Sequence, residues 1–524
     1  MISRGEVGGT AGLNGWTLLT LALCVLLASP IVAVFSAAAG DTGGLWQHLF
    51  TTVLPRYVTN TLVLMVGVAA LTLVIGVSTA WIVTRWDFPG RGILEWSLLL
   101  PAAVPAYIVA YTYTDFLEFA GPLQTALREV FGWQTKLDYW FPEIRSMPGA
   151  IIVLGLALYP YVYIMTRTAF RLTPGSLFEV ASLHNRRLFV STALPLARPA
   201  MVAGVALALM ETISDFGTVE YFSIETLTLG IFNVWLGMNS LAGAAQIAVF
   251  AFLFVIVLLV LEAYSRGRRH YSDTGRRHIS LTPVHTSGLH AGVCAAICAV
   301  PVILGFLFPV VILLGFVVQG YSIDNYAKIV EVAFNSLLIA ASVAIMVMAA
   351  ATVMTVEGIF HRNRLVRALT ALASTGYAFP GTILAIGVVT FAGMVDDGLQ
   401  VVLEGIFGLS YGGITGTLTL VLIACMVRFQ AIGYGAMSAG VRRMPPNLLS
   451  ASRVLGQGFE GTLRQIAFPL VRSSILAGGL LVFVDVMKEL PMTLLLRPFD
   501  FDTLSTYVYQ FAKDELLERA ALPA

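Results

Sequence analysis

The feature that most constrains this chain is a series of apolar runs. Each approaches the roughly 20 residues a helix needs to cross a bilayer. They fall at 16–37, 59–83, 93–114, 148–168, 199–219, 243–264, 291–318, 335–357, 367–393, 413–434 and 471–495. A backbone amide left unpaired in lipid costs several kcal/mol, and a helix pairs its amides internally. The expected fold is therefore an all-α polytopic membrane protein. Composition agrees: of 524 residues, 57% are hydrophobic and 12% charged, too little charge to coat a soluble protein of that size. The first run follows Arg4, as a secretory signal would. It is long and lacks a small-residue cleavage pattern, so it reads as a retained span.

The basic residues fall in every second connection. Arg85 and Arg91 follow the second run, and Arg167, Arg171, Arg186, Arg187 and Arg198 surround the connection before the fifth. Arg266, Arg268, Arg269, Arg276 and Arg277 fill a central linker; His361, Arg362, Arg364 and Arg367 follow the eighth run; Arg442, Arg443, Arg453, Arg464 and Arg472 surround the tenth connection. The connections at 220–242 and 394–412 carry Glu220, Glu225, Asp396, Asp397 and Glu404 and no Lys or Arg. Lys and Arg are retained on the cytoplasmic side, so the basic connections are expected there.

The two halves of the chain repeat each other. Asn60-Thr-Leu and Asn335-Ser-Leu lie 275 residues apart, as do Pro105 and Pro380. Pro174 and Pro445, and Glu179 and Ser450, lie 271 apart; Pro195 and Pro469, and Asp215 and Glu489, lie 274 apart. The offset grows by three within one cytoplasmic stretch, so the first copy of that stretch is three residues shorter. Internal repeats of this kind recur in transporters, with the pathway between the repeats. The expected organisation is a first half at 1–264, a basic linker at 265–290 and a second half at 291–524.

The stretch in question reads EVASLHNRRLFVSTALP at 179–195 and SASRVLGQGFEGTLRQIAFP at 450–469. A short helix, a break at Gly456 and a second helix stopped before Pro469 would form a cytoplasmic knob. A partner's groove could take such a helix, although a solvated interfacial loop explains the same composition. The pattern resembles the coupling motif of permease subunits in binding-protein-dependent ABC importers: Glu-Ala-Ala, three residues, Gly, nine residues, Ile-x-Leu-Pro. The second copy matches at Ala451, Gly456, Ile466 and Pro469, with Ser450 in place of Glu and Phe468 in place of Leu. The first keeps Glu179, Ala181, Leu194 and Pro195, but has Val180 and no Gly. The segments METISDFGTVEYFSIETLTLGIF at 210–232 and DVMKELPMTLLLRPFDFDTLSTYVYQFA at 485–512 narrow the resemblance to fused ferric-iron-type permeases. Related permeases for thiamine or other small solutes share much of that pattern.

That resemblance implies two homologous halves of about six helices each, in the inner membrane of a bacterium. It implies an ATP-binding subunit dimer seated on both coupling stretches and a periplasmic solute-binding protein delivering the solute, most simply ferric iron. ATP and Mg belong to the partner ATPase; no cofactor is expected on this chain. Membrane lipid is the remaining partner, and no nucleic-acid contact is expected.

Glu211 and Asp215 lie four apart in the fifth run, roughly 18–24 Å from its cytoplasmic end at 1.5 Å per residue. Asp485 and Glu489 occupy the equivalent places, with Lys488 beside them. Ionised groups at that depth are costly and face a cavity or one another. On one reading the two pairs share helix faces and line the solute pathway, where carboxylate oxygens suit a ferric ion. On the other, Lys488 neutralises a carboxylate and the group fixes packing.

The only lysines are Lys136, Lys328, Lys488 and Lys513, and none completes a phosphate-binding G-x-x-x-x-G-K-[S/T] loop. Cys24, Cys294, Cys298 and Cys425 all lie in apolar runs and read as packing residues; no metal motif appears. A secondary transporter driven by an ion gradient would share the repeat and the membrane carboxylates, but would not need the two cytoplasmic stretches. An intramembrane enzyme lacks any catalytic constellation. The repeat also calls for a twelfth span after residue 512. Its lack is read as a truncation, or as loss of a peripheral helix that the family tolerates.

Overall fold

The computed structural model describes residues 15–183, 188–266, 282–319, 326–360, 364–408 and 411–524. Most of the basic linker, together with Arg186, Arg187, His361 and Arg362, lies outside the described residues. In chain order the first helices are α1 (Gly15–Ala38), α2 (Leu45–Thr52), α3 (Leu54–Arg85), α4 (Arg91–Ser97), α5 (Ala106–Leu117), α6 (Pro122–Phe131), α7 (Met147–Leu172) and α8 (Gly175–Leu183). Then come α9 (Leu194–Ser214), α10 (Gly217–Tyr221), α11 (Leu227–Phe232), α12 (Leu241–Arg266), α13 (Gly288–Val302), α14 (Phe308–Val318), α15 (Tyr326–Phe360) and α16 (Arg364–Ala373). The remainder are α17 (Gly381–Phe407), α18 (Leu418–Arg442), α19 (Pro446–Val454), α20 (Phe459–Thr462), α21 (Phe468–Met487), α22 (Pro491–Leu496), α23 (Leu504–Lys513) and α24 (Leu517–Ala520).

Among the described residues, ten helices are long and apolar enough to cross a membrane. A bent pair, Arg91–Ala103 and Ala106–Phe131 at 91°, brings the count to eleven when taken as one span. This is the all-α polytopic architecture that the apolar runs imply, with four corrections at helix breaks. The runs at 93–114 and 367–393 are not continuous helices. Pro105 and Pro380 stand at the N-caps of α5 and α17 with ψ of 136° and 140°. The residue before a proline is driven out of the helical region, and Val104 and Phe379 are extended at ψ 124° and 133°. The runs at 199–219 and 471–495 also break, after Ser214 and after Met487. In addition α17 continues to Phe407, through much of what reads as the loop 394–412.

Packing divides the chain differently from the repeat. One compact unit is Met1–Gly40 with Ala327–Thr506; the other is Asp41–Tyr326 with Tyr507–Ala524. In the second of these, α3, α7 and α9 form the core. Gly76 on α3 and Gly204 on α9 both press on Val162 of α7, where a Cβ would collide. Small residues bring helix backbones close where lipid supplies no hydrophobic drive for helix association. Tyr159, Tyr163 and Phe170 are fully buried along the same seam. Helix α13 packs on α3 and α4, and α14 on α5. In the other unit α1 packs along α16 and α17, and Gly387 admits the Pro30 carbonyl at a distance no side chain would allow. Helices α18 and α21 pair there, with Gly440 against Ser474.

The repeat is written into hydrogen bonds as well as sequence. The Asn60 amide donates to the Glu225 carbonyl at 3.0 Å, and the Asn335 amide to the Asp502 carbonyl at 3.2 Å. The next residue repeats too: the Leu227 N–H donates to the Thr61 hydroxyl at 3.0 Å, and the Leu504 N–H to the Ser336 hydroxyl at 2.7 Å. In each half an Asn-Thr or Asn-Ser pair thus satisfies groups at the start of a short helix, α11 or α23.

Candidate coupling segments and buried charges

Each of the two stretches opens in a short helix just after a proline. Helix α8 follows Pro174 and carries Glu179, exposed, and Ala181, half-buried. Helix α19 follows Pro445 and carries Ser450 and Ala451, both exposed. Helix α19 ends as its sequence requires. Gly456 adopts φ +81°, and the Gln457 N–H returns to the Ser452 carbonyl at 3.1 Å. That is the six-to-one closure of a left-handed helix cap, which glycine adopts without steric cost. The hydroxyls of Ser452 and Thr462, both buried, meet at 2.8 Å and fold the two sides of the turn together. The equivalent turn of the first copy, 184–187, lies outside the described residues.

The second helix of each stretch does not stop before its proline. A π-turn at Phe189–Ala193 runs straight into α9 through Leu194 and Pro195. Another at Leu463–Ala467, containing half-buried Ile466, runs into α21 through Phe468 and Pro469. Proline lacks an N–H and its ring crowds the carbonyl four residues back. Widening that turn by one residue relieves the crowding, so the helix continues. The same solution occurs at Ile303–Leu307 before Phe308-Pro309.

Each short helix presents apolar side chains to the outside. On α8, Leu177, Val180 and Leu183 are exposed at a spacing of three, while Phe178 is buried. At the end of α19, Val454 and Leu455 are 85% and 81% exposed, with Leu448 exposed further back. Leu183 is 84% exposed.

The membrane carboxylates stand at the helix breaks. Glu211 lies within α9, but Asp215 turns out of the helix at ψ 127°, so the two do not share one continuous face. The Asp215 carboxylate instead caps α10, accepting from the Thr218 N–H at 3.0 Å, the Val219 N–H at 3.2 Å and the Thr218 hydroxyl at 3.0 Å. Glu489 does the same in the second half, accepting from the Met492 N–H at 2.8 Å at the start of α22. Glu489 also holds a guanidinium that the sequence reading missed: Arg428 on α18 lies 3.2 Å away, and each side chain is 5% exposed. Lys488 pairs with Asp485 at 2.9 Å. Arg428 had a signal, since it is a lone cation inside the apolar run LTLVLIACMVRFQAIGYGAM. Among the described residues, no group of three or more His, Cys, Asp or Glu is placed to hold a metal ion. The four cysteines are free and buried.

Comparison with known proteins bears on the second segment. The family described as "Binding-protein-dependent transport system inner membrane component" matches residues 354–498, which include the second stretch and Glu489. The chain is 22% identical over 479 residues to the "Fe(3+)-transport system permease protein FbpB 2" of Haemophilus influenzae, covering 89% of this chain and 86% of that protein. It is 30% identical over 207 residues to the sulfate transport system permease protein CysW of Escherichia coli K12, covering 37% of this chain and 67% of that protein. It is 25% identical over 204 residues to the molybdenum transport system permease protein ModB of the same strain, covering 37% of this chain and 86% of ModB.

Proposed function

Because the chain belongs to the inner membrane components of binding-protein-dependent transport systems, a family of multi-pass permeases, we propose that it imports ferric iron as the translocation subunit of an ATP-driven system. The observation that carries this reading is the pair of short helices α8 and α19, expected on the cytoplasmic side from the charge bias, each ending in exposed apolar side chains. In water such side chains are uncovered apolar area, which a partner's groove would bury. A separate ATPase dimer is that partner, and ATP and Mg reside on it. Its closure on ATP binding would move both coupling segments together and turn the pathway outward. The periplasmic binding protein would then release its solute, and hydrolysis would restore the inward state.

Iron is favoured because similarity to the ferric permease extends over 89% of this chain, both repeats included. The second reading is a small oxyanion, favoured by the similarity to a sulfate and a molybdenum permease over 37% of the chain. Thiamine-like solutes remain a third choice within the same mechanism. Uptake of radioactive ferric iron and of molybdate, measured in cells with and without the intact gene, separates them. Iron accumulation that depends on the gene and survives an uncoupler supports the proposal. Accumulation of molybdate instead, or collapse with the proton gradient, refutes it.

A further inference from the structure

Helix α6 is polar where it is held and apolar where it is open. Gln124 is its one buried residue, 5% exposed, and its amide donates to the Leu117 carbonyl at 2.7 Å. Arg128 donates to the Phe119 carbonyl at 2.6 Å and to the Thr125 hydroxyl at 3.0 Å, and its guanidinium lies 4.0 Å over the Phe119 ring. The Tyr139 hydroxyl donates to the Gln124 amide oxygen at 2.5 Å and ties the following loop to the same side. Leu123, Leu127 and Val130 follow at the steps of four and three that make one stripe on a helix. At the end of that stripe Val130 and Phe131 are 78% and 60% exposed.

The loop after α6 continues this surface. Leu137 is 96% exposed and Trp140 85%. Leu137 stands on a bonded turn: the Asp138 carboxylate accepts from the Gln134 and Thr135 N–H groups, each at 2.7 Å. Trp133 stacks on Phe131 with ring centres 4.7 Å apart and on Tyr139 at 4.6 Å. The stack joins the end of α6 to the loop, so their open apolar side chains belong to one surface. A contiguous apolar surface marks a place that something covers. Two observations identify the cover. Trp140 and Phe141 line an open depression of about 1030 Å³, which Pro148, Gly149 and Ile152 of the spanning helix α7 also line. Ile152, early in that span and 50% exposed, is apolar area of the kind a bilayer covers. The surface is thus continuous with the membrane-covered one. Charge is the second observation. Arg128, Glu129, Lys136 and Asp138 cancel across 122–142, so the segment offers no net field to a charged partner. Its Trp, Tyr and Leu side chains instead suit the boundary between headgroups and acyl chains.

We propose that α6 and the loop 132–142 lie in the boundary of the bilayer, with Val130, Phe131, Leu137 and Trp140 among phospholipid acyl chains. Glu129, exposed and about 100° round the helix from Val130, then points toward water. By the alternation of basic connections this is the outer leaflet. The contact is independent of which solute is carried. It makes the connection between α5 and α7 a membrane-lying anchor rather than a loop in water.

The test uses the full chain in phosphatidylcholine vesicles, carrying one spin label. The four native cysteines are buried, so Leu137→Cys or Trp140→Cys directs the label to the introduced thiol. Both positions are exposed, so the label displaces no packed group. Electron paramagnetic resonance then compares collisions with oxygen, which concentrates in lipid, and with a nickel chelate, which stays in water. Oxygen collisions should exceed chelate collisions at both positions, and that ratio should fall several-fold at Glu129→Cys. Chelate collisions in excess at Leu137→Cys and Trp140→Cys place the segment in water and overturn the proposal. An equal ratio at all three positions also overturns it. So does loss of both kinds of collision on adding the system's periplasmic binding protein, which would make the surface its dock. Dipolar broadening between labels on two chains would make it a contact between copies, and likewise overturns the proposal.

Discussion

Arg428 and Glu489 form an ion pair 3.2 Å long in which neither side chain is more than 5% exposed. The pair links α18 to the break between α21 and α22, where Glu489 also caps α22. Removing one partner from a buried pair leaves an uncompensated charge, at about 3–5 kcal/mol, whereas replacing both by apolar residues costs far less. Glu489→Gln and Arg428→Met are each expected to lower the detergent melting temperature sharply. The double variant Arg428→Met with Glu489→Leu is expected to recover much of the loss. Equal melts for the single and double variants would show that the pair does not act as a unit.

Asn60 and Asn335 make equivalent bonds in the two repeats and should fail equivalently. Each alanine variant strands a backbone carbonyl, of Glu225 or Asp502, at about 1–2 kcal/mol. Thermal melts of Asn60→Ala and Asn335→Ala should shift by similar amounts, and Asn60→Asp, which withdraws the amide donor, should not rescue. A large shift in one variant and none in the other would mean that the repeated bonds carry unequal weight.

The exposed ends of α8 and α19 should be dispensable for folding and necessary for partner binding. Leu183→Asp and Val454→Asp change exposed side chains, so melts should stay within about 0.5 kcal/mol of wild type. Pull-down of the ATPase by the tagged chain should nonetheless fall strongly. Gly456→Ala forces a side chain into φ +81°, at about 1–2 kcal/mol, local to the turn. Because the two copies differ in sequence, Glu179→Ala and Gly456→Ala are expected to impair uptake unequally. Equal impairment would remove the asymmetry.

Alkaline pH should weaken the hold of α23. Burial, and then the bond to Glu220, keep the Tyr509 proton on far above the ordinary value of 10.0. Burial pushes Tyr221 up to about 12, with Arg145 opposing. A phenol that binds its proton more tightly in the folded chain gives stability that is complete below pH about 10. That stability is lost as pH rises through the folded value. Melting temperatures taken from pH 8 to 11 should decline above 10, and Tyr509→Phe should flatten the decline. An unchanged slope in Tyr509→Phe would assign the loss to other groups.

The sequence carried the helices, the repeat and the capping role of Gly456, because each rests on local chemistry: apolar run length, proline spacing, a glycine three residues beyond Ala-Ser-Arg. It also led to Asp215 and Glu489 as special, but read them as spaced along one helix. Only the backbone turn after Ser214 and Met487 reveals them as caps. Arg428 stood out as a lone cation in an apolar run, but its partner was out of reach for a different reason: Glu489 lies 61 residues further along the chain. Helix α1 illustrates the same limit. Its apolar run is plain, but nothing in it says that it packs on α17 rather than on its neighbours in sequence.

The π-turns at Phe189–Ala193 and Leu463–Ala467 sit just before the membrane helices α9 and α21. A π-turn is an α-helix carrying one surplus residue, and one residue is about 100° of rotation. The register of the residues before each turn, relative to the helix after it, is therefore set by a residue count, independent of which side chains fill the turn. A single-residue deletion inside Leu463–Ala467 would restore an α-helical turn there and shift the side chains before it by one register position relative to α21. Under the coupling role proposed above, register as much as composition decides which side chains meet the partner.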